Sequence, residues 1–319
     1  MNTGREIKDT VRNIFTGRVL FDEPMSMHTS MGVGGSADAL IFPETVEELQ
    51  KLVGLFFGEG ISFIPVGNCT NLVVKDGGYR GVLISLENFR SLEIRDRIDS
   101  GKSSEGEKDA GNISVHAQAG VSFSTFIELC VRESLSGMEF CAGIPGSVGG
   151  GLKMNAGAWG RELKDVVKSI SIVNAGAGIR EIERNDLLFT YRNLALREGD
   201  IITGADFTLV RGDNDEIRRE ISEILTQRRE KHPLLYRSAG SVFKNPPDYP
   251  AGKMIEEAGL KGLRVGDAEI SEQHGNFIVN RGNAKAADVV ALIETIRNKI
   301  LDDRGIFLET ELKIIGEEP

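Results

Sequence analysis

Cysteine is scarce in this sequence, and what there is shows no pairing pattern. The 319 residues hold three, Cys69, Cys130 and Cys141. An odd, sparse count without a Cys-x-x-Cys pair excludes a disulfide framework. The four histidines, His28, His116, His232 and His274, are scattered without metal-ligand spacing and read as surface or hydrogen-bonded side chains, with no metal expected. No uninterrupted run of 18 apolar residues occurs, so a membrane helix is not expected. The first residues, MNTGREIKDTVRNIF, mix charge with apolar side chains from the start, unlike a signal peptide, and predict a cytoplasmic protein. Positive charge is also in short supply. Lys and Arg number 38 against 48 Asp and Glu, a net charge of −10, which argues against nucleic acid or an anionic membrane as the main partner. An anionic small substrate stays open if positive charge is concentrated locally.

What is present is an ordinary soluble composition, 40% hydrophobic and 27% charged, long enough for two or three domains. Glycine is plentiful at 38, but it follows no fixed period, which excludes collagen and solenoid repeats. The first two hundred residues alternate strand and helix signals. Asp38–Pro43, Ile61–Val66, Gly81–Leu86, Ile113–Ala119, Val166–Val173 and Ile201–Val210 read as strands. Thr45-Val-Glu-Glu48 is a capping box, and Leu49, Leu52, Val53 and Phe56 follow at helical spacing up to Gly60. Ser122 or Ser124 caps a helix running through Ser134. Residues 95–112 are charged and Ser/Gly-rich, and read as a mobile surface loop. Asp213 caps a helix lined by Ile217, Ile221, Ile224 and Leu225, which opens a new section ending in helix 284–301 and a strand over Phe307–Ile315.

Several stretches could carry chemistry. Gly32-Val-Gly-Gly-Ser-Ala37 fits a relaxed dinucleotide fingerprint, but it precedes a strand instead of following one, which excludes that reading. Gly67-Asn-Cys-Thr-Asn-Leu72 follows a strand directly and could present backbone N–H groups to a phosphate; on spacing alone a plain turn fits equally well. Gly143–Gly151 and the following Asn155-Ala-Gly157 interleave glycine with Ile, Val, Leu and Met. That pattern suits an ordered loop whose bare backbone approaches a ligand closely. Arg228, Arg229, Lys231, Arg237 and Lys244 against the single acid Glu230 form a local positive island, and an anion site is expected there. In its middle stands Ser241, which the sequence alone leaves as nucleophile, phosphate contact, proton donor or ordinary strand serine. Tyr191-Arg192 and Leu308-Glu-Thr-Glu311 are unremarkable alone.

Together these stretches resemble one family. Val66-Gly-Asn-Cys-Thr-Asn-Leu-Val-Val74, Ala142-Gly-Ile-Pro-Gly-Ser-Val-Gly-Gly150, Met154-Asn-Ala-Gly-Ala-Trp-Gly160, Tyr191-Arg192, Ala239-Gly-Ser-Val-Phe-Lys-Asn-Pro246, Ala258-Gly-Leu-Lys-Gly262, His274-Gly-Asn-Phe-Ile-Val-Asn280 and Leu308-Glu-Thr-Glu-Leu-Lys313 occur in order. The chain so resembles the UDP-N-acetylenolpyruvoylglucosamine reductases, flavoenzymes of bacterial peptidoglycan synthesis that serve cell-wall biogenesis, cell shape and division. The resemblance implies an α+β protein, with a two-subdomain FAD-binding region of the vanillyl-alcohol-oxidase type (1–86 and 87–211) and an α+β substrate domain (212–319). Only nine residues separate Lys231 from Ser241, which matches the short type lacking an inserted tyrosine loop. Two departures stand out: Cys69 where a glycine is common, and Trp159 where tyrosine is common.

The resemblance also implies roles. Non-covalent FAD would contact Gly67, Asn68, Cys69, Thr70, Asn71 and Leu72, then Gly143, Ile144, Pro145, Gly146, Val148 and Gly149, then Asn155, Ala156 and Gly157. NADPH would supply the hydride. UDP-N-acetylglucosamine enolpyruvate would meet Tyr191, Lys231, Lys244 and Asn245. Arg192 would grip the enolate-bearing carboxylate, Glu311 would help polarise or protonate it, and Ser241 would protonate C2. The working unit would be a monomer. Three competing readings are an alcohol or sugar oxidase of the same fold, a serine hydrolase using Ser241, and a non-catalytic nucleotide-binding module. The first lacks a histidine in the FAD loops, and the second lacks a Gly-x-Ser-x-Gly elbow.

Overall fold

The computed structural model describes residues 4–98, 112–174, 176 and 178–319, so most of the charged stretch 95–112 lies outside the described residues. The first sheet orders Arg18–Pro24, Ser36–Phe42, Tyr79–Ser85 and Phe63–Val66. The first pair is antiparallel and the other two are parallel. Helices α1 (Gly4–Ile14) and α2 (Val46–Gly58) cover one face. Strand alternation decides which residue meets them: Ala39 and Ile41 pack with Leu49, Leu52, Val53 and Phe56 of α2, while Leu40 and Phe42 face Val66, Cys69 and Leu83 on the opposite side. Thr45 caps α2 by accepting from Glu48 N, while the Glu48 carboxylate accepts from Glu44 N.

The second sheet is antiparallel throughout, in the order Gly178–Glu183, Val167–Asn174, Ile201–Arg211, Asn112–Gln118 and Leu92–Ile98, with Leu135–Ser136 against the end of Ile201–Arg211. Helices α3 (Phe123–Glu133) and α4 (Val148–Lys153) pack on it. Ser122 caps α3 by accepting from Thr125 N, and Ser124 only bonds its hydroxyl. Helix α4 corrects the expectation of a continuous loop over Gly143–Gly151. Two of its three successive glycines, Gly149 and Gly151, sit where a side chain would not fit, while Gly150 has room for one. A Cβ on Gly149 would lie 2.7 Å from Ala119 Cβ, and one on Gly151 would enter the Phe123 ring. Ala119, Val173 and Ile201 join the core under α2, so the first two sheets share apolar contacts.

Helix α5 (Asn214–Lys231), capped by Asp213, leads to a third sheet ordered Arg237–Ser241, Phe277–Asn280, Ala268–Ile270 and Arg264–Val265. Helices α6 (Ala251–Glu257) and α7 (Ala286–Arg304) close its core. The expected strand over Phe307–Ile315 shrinks to Lys313–Ile315, which pairs in parallel with Leu72–Val74 of the first region. Its earlier residues lie against the third sheet instead, through a bridge of Thr310 with Phe243. Asp76 adds a second tie, accepting from Ala286 N and Ala287 N at 3.0 and 2.8 Å to cap α7 from a distance of 210 residues in sequence. Among the described residues, no helix is long and apolar enough to cross a membrane.

Candidate active site

Two loops meet where the first and second sheets adjoin. The first leaves strand Phe63–Val66 at Gly67, and the second runs from Gly143 into α4. They are stitched by Thr70, whose hydroxyl donates to Pro145 O at 3.2 Å. Gly67 leaves room for Ser147 Oγ, which a Cβ at that position would crowd. Cys69 holds a left-handed φ of 49°, so the missing glycine is replaced at some strain. Burial raises its thiol pKa to about 12, which keeps it protonated. Ile144 packs on the second core, and the N–H groups of Val148 and Gly149 are committed to Val121 O and Ala119 O.

Ser147 escaped sequence reasoning, although it stands between Gly146 and Val148. It is 2% exposed, and its Oγ has no hydrogen-bond partner. A buried, unpaired hydroxyl costs about 1–3 kcal/mol. Held between two glycine-bearing loops, it is the group an anionic ligand would satisfy. The fit to a diphosphate-bearing cofactor rests on this orphan and the Gly67 cradle. A cavity of about 210 Å³ adjoins the first loop, lined in part by Gly67, Asn68, Cys69, Ser85 and Glu87.

The expected cofactor contact Asn155 has its side chain enclosed by protein groups. It is fully buried with a φ of 42°. Its Nδ2 donates to Glu162 Oε2 and Thr190 O, and its Oδ1 accepts from Lys164 N. Its side chain is therefore spent on protein groups. Ala156 and Gly157 continue into a short ribbon with Arg161–Glu162, where a Cβ on Gly157 would strike Arg161 O.

Tyr191 and Arg192 form the turn of a tight hairpin between Phe189–Thr190 and Asn193–Leu194. Arg192 has a left-handed φ of 58°, which turns its guanidinium towards the C-terminal region. Its Nε lies 3.2 Å from Glu311 Oε1, with both side chains about four-fifths buried (20% and 18% exposed). The N–H is not aimed at that oxygen, and Nε is left without an acceptor. Burial pushes the Glu311 carboxyl pKa up, against the opposing pull of Arg192 and, more weakly, Lys244.

Ser241 reaches the same place by backbone pairing. Gly240 turns at φ 75°, and a bulge separates Ser238 from Ser241 in the pairing with Phe277–Asn280. Asn276 fixes the next residues: its O accepts from Val242 N, its Oδ1 accepts from Phe243 N, and its Nδ2 donates to Phe243 O. Glu311 N in turn donates to Val242 O at 2.8 Å, so Ser241 and Glu311 sit on adjacent, hydrogen-bonded segments. Half-buried Ser241, Arg192 and Glu311 are thereby gathered from three distant parts of the chain.

The positive island is more dispersed than its sequence suggests. Arg228 packs against Gly143, where a Cβ would lie 2.7 Å from its Cδ, and its Nε has no acceptor. The Lys231 ammonium lies 5.6 Å from the half-exposed Trp159 ring. Arg229 bonds Thr226 on its own helix, Arg237 lies against Gly32, and Lys244 pairs with Glu309 at 2.6 Å. Asn245 accepts from Ala251 N at the start of α6, which leaves its amide donors for other partners. His232 is packed against His274 and Phe277, and burial with Arg228 nearby lowers its pKa to about 4, so it is neutral near neutral pH.

Two family patterns match the chain: an FAD binding domain over residues 37–183, and the C-terminal domain of UDP-N-acetylenolpyruvoylglucosamine reductase over residues 232–315. The UDP-N-acetylenolpyruvoylglucosamine reductase of Syntrophus aciditrophicus is 50% identical over 312 residues, covering 98% of this chain and 96% of its own. The protein of that name from Clostridioides difficile is 41% identical, covering 93% of each. The crystal structure of UDP-N-acetylenolpyruvylglucosamine reductase from Thermus caldophilus superposes with a TM-score of 0.75 at 33% identity, covering 95% of this chain and 98% of that one.

Proposed function

Because the chain belongs to the UDP-N-acetylenolpyruvoylglucosamine reductase family, an FAD-dependent oxidoreductase family of peptidoglycan synthesis, we propose how its own residues divide the reaction. The reaction is NADPH-dependent reduction of UDP-N-acetylglucosamine enolpyruvate to UDP-N-acetylmuramate. When bound, FAD supplies the redox chemistry, taking a hydride from NADPH and giving one to C3 of the enolpyruvyl group. The loops at Gly67–Leu72 and Gly143–Gly149 hold it, with Ser147 Oγ as a polar contact. Asn155 supports the loop from behind.

Arg192 grips the substrate carboxylate. The observation that carries this is its largely buried guanidinium, 3.2 Å from Glu311 at Nε but without a well-directed hydrogen bond there, a desolvated donor that a substrate carboxylate would satisfy. Charge that develops on the carboxylate as C3 is reduced is stabilised there without reorganisation. Glu311, with its raised pKa, offers a proton or a short hydrogen bond to the same carboxylate. Ser241 donates a proton to C2. A serine hydroxyl is a weak acid, so it serves only a strongly basic carbon, in a positive surrounding. Lys231, beside Trp159, takes the diphosphate of the UDP-sugar, and the free amide donors of Asn245 add a contact. Tyr191 and Lys244 line the same entrance. We assign residues 1–86 and 87–211 to the cofactor and 212–319 to the substrate; each stretch contributes one of the three main sheets. The five residues between α5 and strand Arg237–Ser241 suit the short type of the family. The same reading makes the enzyme a cytoplasmic monomer without a nucleic-acid or membrane partner, in keeping with its net charge of −10.

The test is spectroscopic. Purified protein should show oxidised-flavin absorption, bleached by NADPH and restored by the enolpyruvyl sugar. Ser241→Ala should still be bleached, yet regain colour on sugar addition about a hundredfold or more slowly. A variant that no longer bleaches would overturn the role given to Ser241.

A further inference from the structure

The tripeptide Lys153-Met154-Asn155, at the end of α4, touches both arms of the hairpin that carries Arg192 and the Asn71 amide that holds Glu311. Lys153 Nζ donates to Leu194 O at 2.7 Å. Asn155 Nδ2 donates to Thr190 O at 3.2 Å. Leu194 and Thr190 belong to opposite arms of the hairpin whose turn is Tyr191-Arg192. Between them, Met154 Sδ accepts from Asn71 Nδ2 at 3.7 Å, and the same amide donates to Glu311 O at 2.9 Å.

The hairpin needs such support. Each arm is only two residues long, and a two-stranded ribbon of that size is not stable by itself. Arg192 also holds a left-handed φ, which persists only where its surroundings over-determine it. Two side chains from one helix end gripping both arms supply that constraint. Lys153 is an exposed residue, so its ammonium bond is not a by-product of core packing. Partial burial of that ammonium, with Lys313 close by, lowers its pKa, while a bond to a carbonyl favours the charged form and works against that shift.

We propose that Lys153 and Asn155 are positioning residues for Arg192, clamping the two arms of its hairpin to the helix that begins at the cofactor loop. The proposal rests on the reading of Arg192 as the carboxylate grip. Loss of the clamp therefore harms recognition of the three-carbon carboxylate and spares recognition of the nucleotide.

Lys153 is the member to test, because Asn155 is fully buried and its replacement would confound positioning with misfolding. Affinities of the FAD-loaded protein for two ligands are measured by the change in flavin absorption: UDP-N-acetylmuramate, which carries the carboxylate, and UDP-N-acetylglucosamine, which does not. Lys153→Met should weaken the first about tenfold relative to the second, the size of one hydrogen bond. Lys153→Arg, which can still donate to Leu194 O, should restore most of the difference. In an Arg192→Ala background, Lys153→Met should cause no further selective loss. Equal loss for both ligands, no loss, or a selective loss that persists without Arg192 would each overturn the clamp. If Arg192→Ala alone leaves carboxylate preference intact, the reading of Arg192 fails first, and that outcome is distinct from the others.

Discussion

The side-chain amide of Asn71 donates to the main-chain carbonyl of Glu311 at 2.9 Å. The loop after strand Phe63–Val66 thus holds Glu311, the acid of the proposed trio, directly, across 240 residues of sequence. Lys313 N returns the favour by donating to Asn71 O at 3.0 Å. Asn71→Ala leaves a partly buried carbonyl unpaired and should cost about 1–2 kcal/mol in unfolding free energy. Asn71→Asp sets a carboxylate oxygen against that carbonyl and should cost more. The order Asn, Ala, Asp is expected both in denaturant midpoint and in the rate at which the enolpyruvyl sugar restores flavin colour. An aspartate variant as stable as wild type would show that the contact carries no weight.

Ser147 gives a prediction with opposite signs in two states. Its buried Oγ has no partner in the protein alone. Removing it by Ser147→Ala lifts that desolvation penalty, so the cofactor-free protein should gain roughly 1 kcal/mol. If the hydroxyl meets an anionic group of FAD, affinity should fall about ten- to a hundredfold, since such bonds are worth about 1.5–3 kcal/mol. Melting curves with and without FAD check both signs at once. A variant that binds FAD as tightly as wild type removes Ser147 from the cofactor site.

Much of the frame is legible in the sequence, and the reasons are local. Thr45 followed by Leu49, Leu52, Val53 and Phe56 names both the start and the buried face of α2, because cap and periodicity act within one helix. Asp213 marks the start of α5, accepting from Asp215 N and Glu216 N, but of the face expected there only Ile217 and Ile224 are buried, Ile221 is partly buried and Leu225 is exposed. The apparent alternation over Phe307–Ile315 misleads. Leu308 and Leu312 are buried in the third core, but Glu311 between them is turned to the site, and only Lys313–Ile315 finds a strand partner. Gly149 and Gly151 of α4 mislead in the other direction, since close packing on Ala119 and Phe123 selects them, not loop flexibility. The trio itself is visible only through family motifs. Arg192, Ser241 and Glu311 are far apart in sequence, and the contacts that gather them, Asn276 on Phe243 and Glu311 N on Val242 O, have no local signature.

Asp76 should matter to stability and not to chemistry. It takes the first N–H groups of α7 from the far side of the molecule, where intrahelical acceptors do not exist. Asp76→Ala should lower unfolding free energy by about 1–2 kcal/mol, within the range of lost N-caps. Asp76→Asn keeps one acceptor oxygen and loses the charge, so it should fall between. The flavin spectrum and its bleaching by NADPH should be retained by the folded fraction. Thermal unfolding checks the order, and an alanine variant with unchanged Tm would mean that water replaces the cap at no cost.

On its proposed role, Glu311 should set the pH dependence of the sugar-dependent half of the cycle. Its pKa is raised above the ordinary carboxylate value because burial disfavours the anion more than Arg192 and Lys244 favour it. The acid form therefore persists to higher pH than in a free glutamate and is lost as pH rises through the folded pKa. If the acid form serves the substrate carboxylate, the rate of colour return in prereduced enzyme should fall over that interval. Glu311→Gln keeps a neutral hydrogen-bond donor but transfers no proton, so its rate should be about a hundredfold lower or more, and the falling limb should vanish. Arg192→Ala removes the strongest influence holding the pKa down. Its limb should move to higher pH even as its rate drops, a shift that simple damage to the site does not produce. Single-turnover traces across a pH series separate these outcomes. A limb kept in the Gln variant, or one that moves to lower pH without Arg192, assigns the titration to a group other than Glu311.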